Sequence, residues 1–312
     1  MLEPLDKVTQ DEITSKDNIH ADETTCKMCD KRLPGKDESE DDVEDIVKYF
    51  KRWLFCVYSP ELKLAQFFFH KRGRRSRDAI LEYLKDVRHK LFLHSDGAPL
   101  YKCYDRNNKD RKASGVYELI VRLACLVHIR RPLYKLKDIS DDAGRLVDLI
   151  NRIFHEDEII KNKFSVPDDI KRERLLVLAP LLNKLKDELE NLLPKLEQEE
   201  DAPEMLKAVR YALKEFPCLL ECLQDGRLSL DNNVCERTIR TIAKYRNNSL
   251  FVGSPEGGIR LARMKSVFTN CRAYGLNAYE YLCDVFRRIG NTTKEELVNL
   301  LPHKWKLHAI PQ

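Results

Sequence analysis

Three acidic residues stand where strands or helices could hold them rigidly, namely Asp22, Asp96 and Glu236. Asp22 lies in the stretch "NIHADETTCKM", Asp96 follows the run "LFLHS", and Glu236 lies near the start of a helical pattern. Magnesium takes oxygen ligands and keeps open positions for water and substrate phosphate, so convergent carboxylates are its usual protein ligands. Two such ions can activate a water or a 3′-hydroxyl and stabilise the leaving oxygen in phosphoryl transfer. These residue types therefore suit a divalent-metal site.

Each of these residues also has an ordinary structural explanation. An Asp before a Gly, as at Asp96, is most often part of a turn. Glu236 and Arg240 have the i,i+4 spacing of a surface helix pair, which contributes on the order of tenths of a kcal/mol. Asp231 or Asn232 could cap the same helix and do nothing more. The metal hypothesis depends on the three carboxylates taken together.

A zinc site is the competing metal hypothesis. Cys26 and Cys29 form one half of a zinc pattern, and Cys125 with His128 could complete a set of three Cys and one His. The sequence contains no second Cys-x-x-Cys pair, and the first pair lies beside the strand that carries Asp22. The sequence therefore disfavours zinc.

One short basic run is a candidate for contact with a polyanion. The run "HKRGRRSR" contains Arg72 and Arg74. Arginine suits bidentate contact with phosphate, which gives affinity without reading a base sequence. A basic run is more commonly a solvated face, so both explanations stay open for these two residues.

Composition limits the class of protein. The chain has 312 residues, 43% hydrophobic and 34% charged, with a net charge of +4. It is long enough for one elaborated domain or two. No stretch approaches the roughly 20 apolar residues of a membrane span, and the ten cysteines form no compact disulfide framework. We expect a soluble, intracellular protein whose thiols are reduced.

Hydrophobic periodicity predicts which elements position the candidate residues. The first hundred residues predict strand, strand, strand, helix and strand, interrupted by an acidic loop at 37–45. A further β-rich run becomes helical around His128, and residues 138–224 predict long amphipathic helices. The end of the chain predicts a helix over "NNVCERTIRTIAKYR", a turn over "LFVGSPEGG" and two more helices.

Six blocks of the sequence resemble, in order, the signature blocks of the insertion-sequence-66 family of bacterial transposases. They are "HADET", "SDGAPLY", "ACLVHIRR", "DGRLSLDNNVCERTIR", "FVGSPEGG" and "AYGLNAYEYLCDVF". The resemblance runs from about Ile19 to Trp305, and the block around Glu236 is the most specific part.

The resemblance implies an α/β fold: a ribonuclease-H-like mixed sheet with a large helical insertion and C-terminal helices. The implied division is a core in two parts, an insertion between them and a C-terminal helical element. Their bounds are 1–137, 138–227, 228–265 and 266–312.

The resemblance also implies roles for individual residues. Asp22, Asp96 and Glu236 become a catalytic triad that holds Mg²⁺ or Mn²⁺, as two ions. Asp231 and Asn232 become residues that hold the Glu-bearing helix in place. The implied DNA-contacting residues are Arg237, Arg240, Lys244, Arg246, Arg130, Arg131, Arg72 and Arg74.

The implied function is metal-dependent DNA cleavage and strand transfer in transposition of an insertion sequence. The implied partners are element ends and target DNA, further copies of the chain on DNA, and accessory proteins of the same element. Family members usually carry a substantial N-terminal region, and this chain starts only about twenty residues before Asp22. The alternatives are a catalytically silent DNA-binding remnant and a generic nuclease of the same fold.

Overall fold

The computed structural model describes residues 2–31, 47–70, 73–105, 115–199, 202–249 and 251–305. The acidic run at 37–45 and Arg72 lie outside these ranges. None of the described helices combines the length and the apolar character needed to cross a membrane.

The fold is α/β, with one five-stranded mixed sheet that is compatible with a ribonuclease-H-like fold. The strand order is β3-β2-β1-β4-β5. The strands are β1 (Asn18–Lys31), β2 (Val47–Ser59), β3 (Leu64–Phe69), β4 (Leu91–Ser95) and β5 (Ile120–Ala124).

Ten α-helices lie in the described parts of the chain, and four short 3-10 helices accompany them. The α-helices are α1 (Glu3–Thr14), α2 (Arg77–Leu84), α3 (Gly115–Leu119), α4 (Leu126–Leu136), α5 (Asp141–Lys163), α6 (Pro167–Leu196), α7 (Pro203–Leu219), α8 (Asn233–Ser249), α9 (Pro255–Ala273) and α10 (Ala278–Arg288). The 3-10 helices are Pro99–Tyr104, Leu220–Leu223, Ile289–Asn291 and Leu297–Leu300.

The chain forms two compact units. The first unit comprises Met1–Leu91 and Asn233–Gln312, and the second comprises Phe92–Asn232. The predicted order of strand, strand, strand, helix, strand is confirmed in β1, β2, β3, α2 and β4. The predicted helices over residues 138–224 are also confirmed, in α5, α6 and α7.

In the first unit, β1, β2 and β3 form an antiparallel meander with a helical layer on each face. Asp22 lies opposite Cys56, and Phe55 lies opposite Phe68. Side chains alternate between faces along a strand. One face packs against α8 and α9 in an apolar cluster that includes Cys26, Leu54, Cys56, Phe67, Cys235 and Ile239. On the other face Phe68 stacks on Phe55 and on Tyr83 of α2.

Side chains of helix α9 form hydrogen bonds with the backbone of β3. The Asn270 side chain accepts a hydrogen bond from Ala65 N–H at 2.7 Å and donates one to Ala65 C=O at 2.9 Å. The Ser266 hydroxyl accepts one from Phe67 N–H at 2.8 Å. Because β3 is an edge strand, these contacts satisfy backbone groups that would otherwise offer a site for pairing with another chain.

In the second unit, α5, α6 and α7 form the helical block of the chain. Leu178, Leu182, Leu185 and Leu189 of α6 are fully buried. Their spacing of three and four residues places them on one face of the helix, as the hydrophobic pattern predicts. Ser140 caps α5 by accepting a hydrogen bond from Ala143 N–H.

The helical block holds the segment that leads towards α8. Arg174 is completely buried and donates to Asp157 Oδ1 at 2.8 Å and to Leu228 C=O at 2.8 Å. Gly226 lies so close to α6 that a β-carbon there would be 2.1 Å from the Pro167 carbonyl oxygen. The "DGRLSLDNN" block is therefore packed directly on α6.

The sequence analysis was wrong about one element and missed another. The turn over "LFVGSPEGG" is wrong from Pro255 onward, because those residues form the first turn of α9. Ser254 is the N-cap and accepts a hydrogen bond from Gly257 N–H, while Pro255 takes a first-turn position where no N–H is needed. Helix α1 was not predicted, since "EPLDKVTQDEIT" buries only Leu5, Thr9 and Ile13.

Replacing Gly226 with Ala tests the packing of this block on α6. The added methyl group overlaps the Pro167 carbonyl, so the free energy of unfolding is expected to fall by about 1–3 kcal/mol. Gly290→Ala is the control, because a β-carbon at Gly290 meets no atom within 4 Å. Urea unfolding of the two variants measures the difference. Equal stability would show that the segment is not held against α6.

Candidate active site

Asp22 lies on the face of β1 that packs against α8. Cys26, four residues later on the same strand face, is buried in the cluster under α8 and α9. The Asp22 Oδ1 atom accepts a hydrogen bond from Glu23 N–H at 2.8 Å, which fixes the carboxylate against the backbone. Asp22 is half-buried.

Glu236 lies in the first turn of α8, directly after the buried Cys235. The Cys235 thiol donates to the carbonyl of Cys56, the residue opposite Asp22, at 3.7 Å. Burial raises the pKa of Cys235 well above its usual value, and the Cys56 side chain and the negative charges of Asp22 and Glu23 raise this pKa further. The first unit therefore brings the Asp22 carboxylate and the Glu-bearing turn of α8 into electrostatic range.

Asp96 belongs to the second unit and follows β4 directly. Its Oδ1 atom accepts a hydrogen bond from Ala98 N–H at 3.0 Å. A β-carbon at Gly97 would lie 2.4 Å from the Tyr211 hydroxyl, so the glycine permits close approach of α7. Burial raises the pKa of Tyr211, and the charges of Glu215 and Asp96 raise it further. The turn at Asp96 is thus packed against α7.

The exposed side of α8 is basic. Arg237, Arg240 and Lys244 are exposed and follow one another at intervals of three and four residues, which places them on one helical face. Cys235, Ile239 and Ile242 are buried on the opposite face. The Arg246 side chain lies outside the described residues.

The remaining predicted DNA contacts are distributed over both units. In α4, Arg131 is exposed, and Arg130 lies over the Tyr134 ring with its guanidinium 4.6 Å from the ring centroid. Lys137 approaches the same ring at 4.4 Å. Arg74, in the first unit, is half-buried.

Asp231 and Asn232 end the segment that precedes α8. Asn232 is completely buried, and its N–H donates to the Cys125 sulfur at 3.3 Å. Leu126 N–H donates to Leu230 C=O at 2.9 Å, so the segment is tied to the start of α4. Asp231 N–H donates to the Ser229 hydroxyl at 3.3 Å.

Cys26 and Cys29 do not fit a shared metal. They are three residues apart on β1, so their side chains leave opposite faces of the strand. Cys26 is buried in the apolar cluster, while Cys29 is partly exposed. All ten cysteines are free in the structure.

A buried charge network in the second unit was missed by the sequence analysis. Arg122 of β5 has a completely buried side chain and forms ion pairs with Asp105 and, at 2.9 Å, with Glu215. Glu215 also pairs with Lys102 at 2.8 Å. These contacts join β5, α7 and the Pro99–Tyr104 helix beside a cavity of about 680 Å³. The available signal was one arginine inside the apolar run "IVRLA".

Comparison with known proteins places this chain among mobile-element proteins. Residues 1–260 match the family model described as "Transposase IS66 family". The chain belongs to the IS66 family of transposases.

The curated relatives come from Sinorhizobium fredii (strain NBRC 101917 / NGR234). "Uncharacterized protein y4jD" is 31% identical over 225 residues, which are 70% of this chain and 42% of the relative. "Uncharacterized protein y4hP" is 31% identical over 191 residues, or 58% and 35% of the two chains. "Uncharacterized protein y4qI" is 29% identical over 223 residues, or 70% and 40%. The chain spans less than half the length of these relatives, and no solved structure matches it.

Replacing Glu215 with Gln tests the buried network through its pH dependence. Burial acts to raise the pKa of Glu215, but Arg122 and Lys102 outweigh it, so the folded pKa lies below 4.5. The ionised carboxylate therefore stabilises the fold above the unfolded pKa, and this contribution is lost as the pH falls through the folded pKa.

The Glu215→Gln variant should lose about 3–5 kcal/mol near neutral pH, because Arg122 is left without one of its carboxylates. The deficit should shrink as the pH falls below 4.5. Glu197→Gln removes an exposed carboxylate that pairs with Arg210 and should change stability by less than about 1 kcal/mol. Urea unfolding across this pH range measures both variants, and a deficit independent of pH would contradict the ionic role of Glu215.

Proposed function

We propose that this chain is the catalytic part of a transposase that cleaves and joins DNA with divalent metal ions held by Asp22, Asp96 and Glu236. The main support is the arrangement in the first unit, where Asp22 and the Glu236 turn of α8 share one face of the sheet. Asp96 follows β4, the neighbour of β1 in the strand order. Family membership supports the same assignment.

The chemistry of these residues fits Mg²⁺ or Mn²⁺. All three are carboxylates, the ligand type that hard divalent ions prefer. Asp22 and Asp96 each have one oxygen held by a backbone N–H, which restricts the orientation of the carboxylate. When bound, a pair of such ions would activate the attacking water or 3′-hydroxyl and stabilise the leaving oxygen.

The other named residues bind and orient the DNA. The exposed face formed by Arg237, Arg240 and Lys244 begins one residue after Glu236 on the same helix. Cationic side chains of this kind bind phosphates without reading the bases. The packing of α8 on the sheet therefore sets the distance between the phosphate contacts and the carboxylate.

The proposed partners are element ends and target DNA. A homo-oligomer on DNA and accessory proteins of the same element belong to the same proposal, as does a location at the bacterial nucleoid. A silent DNA-binding remnant is the alternative, and the cleavage test separates the two.

Replacing Glu236 with Gln should abolish metal-dependent cleavage while DNA affinity and folding stay close to those of the wild type. Glutamine keeps the size and one carbonyl oxygen but removes the charge that holds a divalent ion. The substrates are supercoiled plasmid and oligonucleotides from the DNA that flanks the gene, with Mg²⁺ or Mn²⁺ added. Cleavage at an undiminished rate would show that Glu236 does not hold the metal.

Replacing Arg240 with Ala should have the opposite effect. DNA binding should weaken, and the number of phosphate contacts inferred from its salt dependence should fall by up to about one. Cleavage should still depend on the divalent metal. Fluorescence anisotropy over a range of salt concentrations measures the slope. A wild-type chain that binds DNA and never cuts it would support the silent DNA-binding remnant instead.

A further inference from the structure

The outer end of the β1–β2 hairpin carries an exposed pair of aromatic rings. Tyr49 of β2 is 55% exposed and Phe251 is 46% exposed. Their ring centroids are 4.6 Å apart, with the ring planes tilted by 46°. Two large aromatic side chains that stay half exposed forgo part of the free energy that burial would give them. Adjacent exposed aromatic residues are typical of a binding surface.

Phe251 is held at this place by backbone hydrogen bonds. The next residue, Val252, donates its N–H to Lys27 C=O at 2.7 Å and accepts from Cys29 N–H at 2.9 Å. This parallel bridge pairs Val252 with Met28 and buries the Val252 side chain beneath the sheet. The ring of Phe251 is therefore positioned beside β1 by the fold.

Two lysines lie next to the aromatic pair. Lys27 is directly opposite Lys51, and Cys29 is directly opposite Tyr49. Opposed residues in an antiparallel pair share a face, so both lysines lie on the Tyr49 face, and both are exposed. Like charges in directly opposed positions destabilise a sheet. An anion bound between Lys27 and Lys51 would remove that repulsion.

A further aromatic residue and a further cation lie on the same face of β2. Trp53 lies two residues beyond Lys51 and therefore on the same face. The Arg75 guanidinium is 4.7 Å from the Trp53 ring centroid and is hydrogen-bonded to Glu23 at 2.7 Å. Aromatic and cationic groups thus alternate along the strand, with Arg75 already paired to a carboxylate.

We propose that Tyr49, Phe251, Lys27 and Lys51 form a binding surface for single-stranded DNA, with unpaired bases stacked on the two rings and phosphates at the two lysines. Exposed ring faces suit unpaired bases, because in a duplex the base faces are covered by their neighbours. The lysines supply positive charge for the nucleic-acid backbone. We name these four residues the stacking surface. The inference rests on the proposed function only in taking DNA as the substrate.

The stacking surface is tested by binding without divalent metal. Fluorescence anisotropy of the whole chain uses a labelled oligothymidine and a blunt duplex of equal length. Tyr49→Ala and Phe251→Ala should each weaken single-strand binding by about 5- to 100-fold and leave duplex binding within about twofold. Tyr49→Phe, which keeps the ring, should bind like the wild type.

The role of the lysines is tested through the salt dependence of single-strand binding. Lys51→Met should lower the slope of log affinity against log salt for the single strand by about 0.7. Tyr279→Ala is the matched control, since Tyr279 is a 77% exposed tyrosine on α10 of the same unit, and it should change nothing. Circular dichroism and thermal unfolding establish that each variant is folded.

Several results would overturn the inference. They are a wild-type chain that does not bind the single strand, Tyr49→Ala and Phe251→Ala variants that bind it normally, and an equal loss for duplex and single strand. Self-association of the chain that is lost in Tyr49→Ala, without any change in DNA binding, would assign the surface to a second copy. These outcomes are independent of cleavage, so the stacking surface and the metal-dependent activity can fail separately.

Discussion

The packing of α8 against one face of β1 and β2 is the constraint on which the proposed chemistry depends. Cys235, Ile239 and Ile242 enter the apolar cluster because they recur every three or four residues along the helix. Once that face is buried, Arg237 and Arg240 must point to solvent. Glu236 lies at the border between the two faces, half-buried at the helix start, where the helix dipole favours a negative charge.

The second unit applies a comparable constraint to the residues that precede α8. Arg174 is fully buried and binds both Asp157 and the backbone carbonyl of Leu228. A buried ion pair is weak evidence for stability, because removing two charges from water is costly. Its geometry is nevertheless specific: only a donor with several N–H groups can bind a carboxylate and a carbonyl from one position. The pair therefore serves to define the path of the segment more than to increase stability.

The sequence predicted the elements well and the polar contacts poorly, for a physical reason. Strand and helix patterns depend on local periodicity, so β1 to β4 and the helices α5 to α7 could be predicted from spacing alone. The partners of Arg122 and Arg174 could not be predicted from spacing, because Glu215 and Leu228 lie 93 and 54 residues away from them. In the candidate site, the sequence placed Asp22 on a strand and Glu236 at a helix start, and both placements are confirmed. The convergence of the full triad stays a prediction.

The block "DGRLSLDNNVCERTIR" contains residues that pack the fold and one residue, Glu236, that is proposed to bind metal. Asp225 accepts a hydrogen bond from Arg227 N–H, and Gly226 permits contact with α6. Leu228, Leu230 and Asn232 are buried. Most of the block therefore has a role in folding that any protein with this architecture would need, whether or not it cuts DNA. The resemblance in these positions supports the fold, whereas the proposed metal site takes only one residue from the block, Glu236, which the surrounding packing holds at the edge of the core.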